Sequence, residues 1–187
     1  MVIKAANHIR LVLINESHAS TIFEMVHKNK ENLRQWLSFV DKMESIAFAE
    51  TFIKGSMQRN DLGTEYAFII FENEIAVGRV GVYKIDQQHK IGEIGYWLVE
   101  EMQGKGIMTC ACKAIVAFCF DQLLLNRIEI KCGFHNVKSQ ALPNVLGFTK
   151  EGIIREGEWL HEKYIDLFLY SLLKSEYQSE LSDVKSN

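Results

Sequence analysis

One run constrains the fold more than any other part of the chain. Ile94-Gly95-Tyr96-Trp97-Leu98-Val99 reads as a strand, because β-branched and aromatic residues suit a pleated, half-buried surface. Ala111 to Leu125 is long, apolar and free of Gly and Pro, and reads as a helix. Gln103-Gly104-Lys105-Gly106 joins them. A second strand, Asn126-Arg127-Ile128-Glu129-Ile130-Lys131-Cys132, follows the helix. Strand, crossover helix and strand make a βαβ unit, so the two strands are expected to be parallel. Ligands of such units bind beyond the carboxyl ends of the strands, where the glycine turn lies. A turn of this kind lets backbone N–H groups converge on an anion at a helix N-terminus, as a phosphate cradle does. It is neither a Rossmann fingerprint, which needs a third Gly, nor a Walker loop, since Lys105 is followed by Gly106 and Ile107 rather than by Ser or Thr.

The rest of the chain frames that unit. His8 to Ile14 reads as a strand, and Glu16-Ser17-His18-Ala19 opens a helix with Ile22, Phe23, Val26 and His27 on its apolar face. A second helical stretch is expected from Lys30, carrying Leu33, Trp36, Leu37 and Val40. A third starts at Ser45, with Phe48, Phe52 and Ile53 inward and Gly55 loosening its end. Glu65–Phe71 and Ile75–Ile85 pair as a hairpin across Glu72-Asn73-Glu74, with Gly78 and Gly81 marking a bulge or a close approach. After Cys132 come His135-Asn136-Val137-Lys138-Ser139, a short helix ending at Leu146-Gly147, and a hairpin of Phe148–Trp159 with Lys163–Leu173. The tail from residue 175 to 187 is polar and is expected to fray.

With 187 residues, 48% hydrophobic and 24% charged, the chain fits one globular domain spanning 1–187. A net charge of −3 without a basic stripe argues against direct nucleic-acid binding. No apolar run reaches the roughly 20 residues of a membrane span, and the N-terminus lacks a signal-peptide layout. Cys110, Cys112, Cys119 and Cys132 lack metal-ligand spacing, so no metal site is expected; they read as reduced packing residues of a cytoplasmic protein.

Gln103-Gly104-Lys105-Gly106-Ile107-Met108 resembles the pyrophosphate loop, Q/R-x-x-G-x-G/A, of the GNAT superfamily of N-acetyltransferases. Met108 departs from the preferred small last residue, as the ribosomal-protein-serine acetyltransferase branch often does. Glu93-Ile94-Gly95-Tyr96-Trp97-Leu98 is similar to that branch's pantetheine-holding strand, and Leu146-Gly147-Phe148-Thr149-Lys150-Glu151-Gly152 to its L-G-F-x-x-E-G ending. The resemblance runs from about His8 to Leu173. It implies an α+β fold: a mixed, mainly antiparallel sheet of about seven strands, with helices on both faces, splayed between two parallel strands.

The resemblance also implies acetyl-CoA as cofactor, held by Trp97, Leu98, Val99, Gln103, Gly104, Lys105, Gly106, Ile107, Met108, Thr109, Asn136 and Ser139. Asn136-Val137-Lys138-Ser139 resembles the segment in which Asn meets pantetheine and Ser the coenzyme sulfur; from the residues alone it reads as a helix cap. Acetyl transfer needs a neutral amine, a fixed oxyanion donor and a proton for the leaving thiolate. By analogy the donor is the Leu98 N–H, freed by a bulge in its strand. Ser139 matches the acid and Glu100 the base, with Glu93 and His135 as rivals. An unpaired Glu93 within an apolar strand is costly, so an ion pair is its expected fate.

Trp36 and Leu37 are expected to pack in the core rather than line an acceptor groove, and Trp159 and Tyr164 to pair across the last hairpin. The preferred acceptor is a protein N-terminal α-amine, whose pKa of about 8 asks less of a base than a lysine at about 10.4. The resemblance further implies a homodimer. A small-amine N-acetyltransferase and a non-catalytic acyl-CoA sensor are the alternatives. A peptide enzyme predicts an open groove between the helical block and the final hairpin, and a small-amine enzyme a closed acidic pocket.

Overall fold

The computed structural model describes residues 1–185. Strands β1 (Val2–Lys4), β2 (Ile9–Leu13), β3 (Tyr66–Glu72), β4 (Ile75–Asp86), β5 (Ile91–Leu98), β6 (Arg127–Gly133), β7 (Thr149–Leu160) and β8 (Lys163–Leu173) form one sheet. Its order is β1-β2-β3-β4-β5-β6-β8-β7, eight strands rather than about seven. The additional one is β1, whose three residues are too short to show an alternation; it pairs with β2 through Val2↔Val12. All neighbours are antiparallel except β5 and β6, the two strands of the βαβ unit.

Helices α1 (Ala19–Lys28), α2 (Lys30–Leu33) and α3 (Ile46–Asp61) cover one face of the N-terminal half of the sheet. Ile22, Val26 and Ile53 are buried there against Ile69 and Trp97. Each such aliphatic side chain contributes roughly 1.5–3 kcal/mol on leaving water. On the other face α4 (Ile107–Ala117), α5 (Val137–Val145) and α6 (Lys174–Lys185) pack on Phe68, Val80, Ile94 and Ile130.

Three helical expectations change. The stretch from Lys30 stops after one turn, because the Arg34 guanidinium bonds Asp41 (Nε–Oδ1 3.0 Å) and draws the chain back on itself. Leu33 and Val40 still reach the core, but Trp36 does not. Helix α3 runs through Gly55 to Asp61. Its Ser56 and Arg59 both bind the buried Glu65 carboxylate, which also receives Arg79 (3.1 Å). These anchors outweigh the roughly 1 kcal/mol that a helical Gly costs. The tail does not fray from residue 175: Tyr177 stacks on Phe120 at 5.0 Å, and the Glu176 carboxylate accepts the Leu173 N–H (2.7 Å). That one aromatic is the anchor in a mostly polar segment; Ser186 and Asn187 lie outside the described residues.

The feature that positions the site is a gap. β5 and β6 pair only through Ile91↔Arg127, Gly92↔Ile128 and Glu93↔Glu129, and then diverge. Gly78 on β4 lets β5 approach closely, since a Cβ there would stand 2.3 Å from the Trp97 carbonyl.

Candidate active site

The cradle begins where β5 ends. Glu100–Met102 forms a single 3-10 turn, and Gly104 and Gly106 then adopt φ of 74° and 77°, the left-handed region that strains any L side chain. Gly106 is the N-cap of α4 and offers no side chain, and the first intrahelical bond is Cys110 N–H to Gly106 O. The N–H groups of Ile107, Met108 and Thr109 therefore lack intrahelical acceptors. Gly104, Lys105 and Gly106 are exposed, and nothing stands within 4 Å of a Cβ built on either glycine. Uncapped donors, the positive end of a helix and an open approach fit a phosphate-bearing ligand.

The gap is lined by β5. Val99 N–H donates to Val77 O (2.9 Å), so by alternation the N–H and C=O of Leu98 face away from β4, into the gap. The Leu98 N–H is freed by the divergence of β6. A bulge in β5 is not the cause: pairing with β4 is regular from Gly78↔Leu98 to Tyr83↔Glu93. The Leu98 carbonyl accepts from Gln103 Nε2 (3.5 Å). Trp97 points to the opposite core, where its indole N–H has no partner among the described residues, and Val99 is half-buried.

Ser139 faces the gap from α5. Its N–H is capped by Asn136 Oδ1 (3.1 Å), so Asn136 acts as the helix cap. Its hydroxyl donates to Tyr96 Oη (3.2 Å) and lies 3.4 Å from Cys132 Sγ, and the Tyr96 hydroxyl donates to the Ser139 carbonyl (3.0 Å). That carbonyl is available because Pro143, four residues on, has no N–H to offer it. The single proline of the chain thus fixes Tyr96 across the gap. Burial holds the Tyr96 phenol well above its ordinary pKa and raises that of the Cys132 thiol, so both stay protonated.

The carboxylates separate. Glu93 bonds Lys131 (2.8 Å) and Lys84 (3.1 Å), a structural ion pair at the root of the gap. Burial opposes its charge, but the two lysines prevail and lower its pKa. Glu100 is exposed, its backbone N–H bound to Asn29 Oδ1 (3.0 Å). His135 sits edge-on to Phe134.

Glu158 was not singled out from the sequence. It is half-buried on β7, its carboxylate has no hydrogen bond or ion pair among the described residues, and it lines a cavity of about 300 Å³ with Lys84, Glu93, Lys131 and Leu167. Burial first, and then the charge of Glu93, raise its pKa. A register shift between Ile154 and Glu158 turns it onto this face. Only the alternation of the last hairpin hinted at it, and the bulge hides that alternation.

A groove of about 920 Å³ lies at the end of β6, between the segment from Glu31 to Trp36 and the β7–β8 hairpin. Trp36 lies over Gly133 and lines the groove, contrary to the core placement expected; Leu37 packs against the α1–α3 core. Phe134, Tyr164, Glu156, Asp166 and Lys163 complete the walls, a mixed surface rather than an acidic one. Trp159 and Tyr164 pair across the hairpin at 4.7 Å. The four cysteines are free, and no metal-binding cluster occurs among the described residues. Nor is any helix among them long and apolar enough to cross a membrane.

An eight-stranded mixed sheet, parted between its two parallel strands above an uncapped glycine turn, is the acetyltransferase architecture. The family model described as an acetyltransferase (GNAT) domain matches residues 8–149, and the chain belongs to that family. It is 34% identical over 179 residues to YdaF of Bacillus subtilis (strain 168), covering 95% of this chain and 97% of the relative. It is 30% identical over 169 residues to the ribosomal-protein-serine acetyltransferase of Escherichia coli (strain K12), covering 90% and 94%. Among solved structures it is similar to RimL, a ribosomal L7/L12 α-N-protein acetyltransferase in complex with coenzyme A. The TM-score there is 0.90 at 27% identity, with 94% of this chain and 99% of that one covered.

Proposed function

We propose that this protein transfers an acetyl group from acetyl-CoA to the N-terminal α-amine of a protein, of the ribosomal kind that its relatives modify. One observation carries the reading: the two strands that bound the gap lead to different features, β5 to the uncapped N-terminus of α4 and β6 to the groove between α2 and the hairpin, whose wall Phe134 joins just after β6 ends. The groove has a hairpin wall and is mixed in charge, which suits a peptide better than a polyamine.

The residues present fit the coenzyme. Gln103, Gly104, Lys105, Gly106, Ile107, Met108 and Thr109 would hold its phosphates, and Leu98, Val99, Asn136 and Ser139 its arm. The thioester supplies an acyl carbon open to direct amine attack. The Leu98 N–H is placed to stabilise an oxyanion in the gap. Ser139, backed by the protonated Tyr96, holds a proton for the departing sulfur. For the base, Glu158 has the better environment: it is half-buried, its carboxylate has no hydrogen bond or ion pair among the described residues, and burial raises its pKa, which favours proton uptake.

We place the enzyme in the cytoplasm, consistent with four free cysteines, and retain the homodimer as part of the proposal. The test is free-thiol release from acetyl-CoA across N-terminal peptides and small amines. Turnover on peptides with a free α-amine is expected. Turnover confined to polyamines would transfer the acceptor to the small-amine class, and coenzyme binding without turnover would leave a sensor.

A further inference from the structure

Two asparagines join the wall of the acceptor groove to the coenzyme strand. Asn29 closes α1 and opens α2; its Nδ2 donates to the Met25 carbonyl (2.9 Å) and its Oδ1 accepts the Glu100 N–H (3.0 Å). The first bond orients the amide for the second. Close to one helical turn on, Asn32 Oδ1 accepts from Gln103 Nε2 (3.4 Å). The same Gln103 amide reaches the Leu98 carbonyl (3.5 Å), and Gln103 Oε1 accepts from Lys138 Nζ of α5 (3.4 Å). Residues 98–103 link the end of β5 to the glycine turn, so the strand, the cradle and α2 share one set of contacts. After α2 the chain continues into Arg34, Gln35 and Trp36 of the groove wall.

We infer that Asn29 and Asn32 are positioning residues that couple the coenzyme seat to the acceptor wall, so that filling the cradle orders α2. The physical reason lies in Gln103. An amide-bearing ligand lying in the gap competes for the Leu98 carbonyl, which leaves Asn32 as the partner of the Gln103 amide. That bond tightens as the ligand seats, while Asn29 holds the start of the same loop at Glu100. Binding energy spent at the cradle thereby reaches the groove through a chain of hydrogen bonds, and the wall is better ordered before the acceptor arrives. This inference rests on the proposed reading that coenzyme A occupies the cradle.

The test is amide hydrogen exchange of the full chain with and without coenzyme A, in wild type and in Asn29→Ala/Asn32→Ala. In wild type, coenzyme A is expected to slow exchange at 106–109 and also, by roughly three- to tenfold, at 30–36, as strengthening by about one hydrogen bond's worth would do. In the double variant the cradle protection persists and the wall protection is lost. Asn29→Asp, which keeps the acceptor for Glu100 N–H, is expected to restore part of it. Comparing each variant with and without ligand separates coupling from general loosening. Protection at 106–109 without protection at 30–36 in wild type overturns the coupling alone, as does wall protection that survives in the double variant. No protection at 106–109 overturns the coenzyme reading as well.

Discussion

The cradle and the acceptor groove are built by different means. The cradle is a backbone device within one stretch of sequence: Leu98 to Thr109 supplies the gap-facing N–H, two left-handed glycines and three unpaired helical donors. The groove is a side-chain device assembled from three distant segments, around Trp36, Phe134 and Glu156–Asp166. Backbone sites depend on φ, ψ and hydrogen-bond directions that few residue types can satisfy. Side-chain sites depend on tertiary placement, so they vary without disturbing the fold. On the proposed reading, the first part therefore defines the reaction class and the second selects the acceptor.

That contrast can be broken or sharpened by mutation. The largest effect is expected at Glu158. Glu158→Gln should lower kcat/KM by roughly 10²–10³-fold, the range of a lost general base, with the KM for acetyl-CoA unchanged. Because burial raises the Glu158 pKa, wild-type kcat/KM should fall as pH drops through a value above the ordinary carboxylate range, and the variant should lose that limb. A larger loss in Glu100→Gln than in Glu158→Gln would return the base to the exposed loop. Next comes Gly106→Ala. A left-handed L residue costs roughly 1–2 kcal/mol, so coenzyme affinity measured by calorimetry should fall about tenfold while peptide affinity holds.

Pro143→Ala should have a smaller effect, of opposite sign on fold and function. The restored N–H can claim the Ser139 carbonyl and release the Tyr96 hydroxyl. Thermal melting should show an unchanged or raised Tm, with kcat a few-fold lower. A kcat equal to wild type would mean that the Tyr96 bridge has no part in turnover. The smallest effect lies away from both clefts. Arg127 and Ser171 hold the Glu151 carboxylate down to about 2, so this group stabilises the fold above its ordinary pKa of 4.5 and loses that contribution as pH falls through about 2. Glu151→Gln should melt a few degrees below wild type near neutral pH, and the difference should close in acid.

The same division explains what the sequence disclosed. The βαβ unit, the parallel pair and the turn glycines were legible because local chemistry dictates them. Glu93 was readable as an ion pair because a charge in an apolar strand needs a partner, and β6 supplied Lys131. Trp36 was misplaced because helical spacing continued past Leu33, whereas the Arg34–Asp41 bond ends the helix. Glu158 was missed because the bulge before it breaks the alternation that would have shown its face. Asn29, Asn32 and Tyr96 owe their roles to partners 71 or 43 residues away, which no local pattern encodes.

The most direct test of the central claim is a fragmentation mass spectrum of a ribosomal-protein N-terminal peptide with a free α-amine after incubation with this protein and acetyl-CoA. The account predicts one acetyl group, on the α-nitrogen of the first residue, and none when that amine is blocked. Acetyl groups on lysine side chains alone, or an unmodified peptide beside rapid acetylation of a small amine, would contradict it.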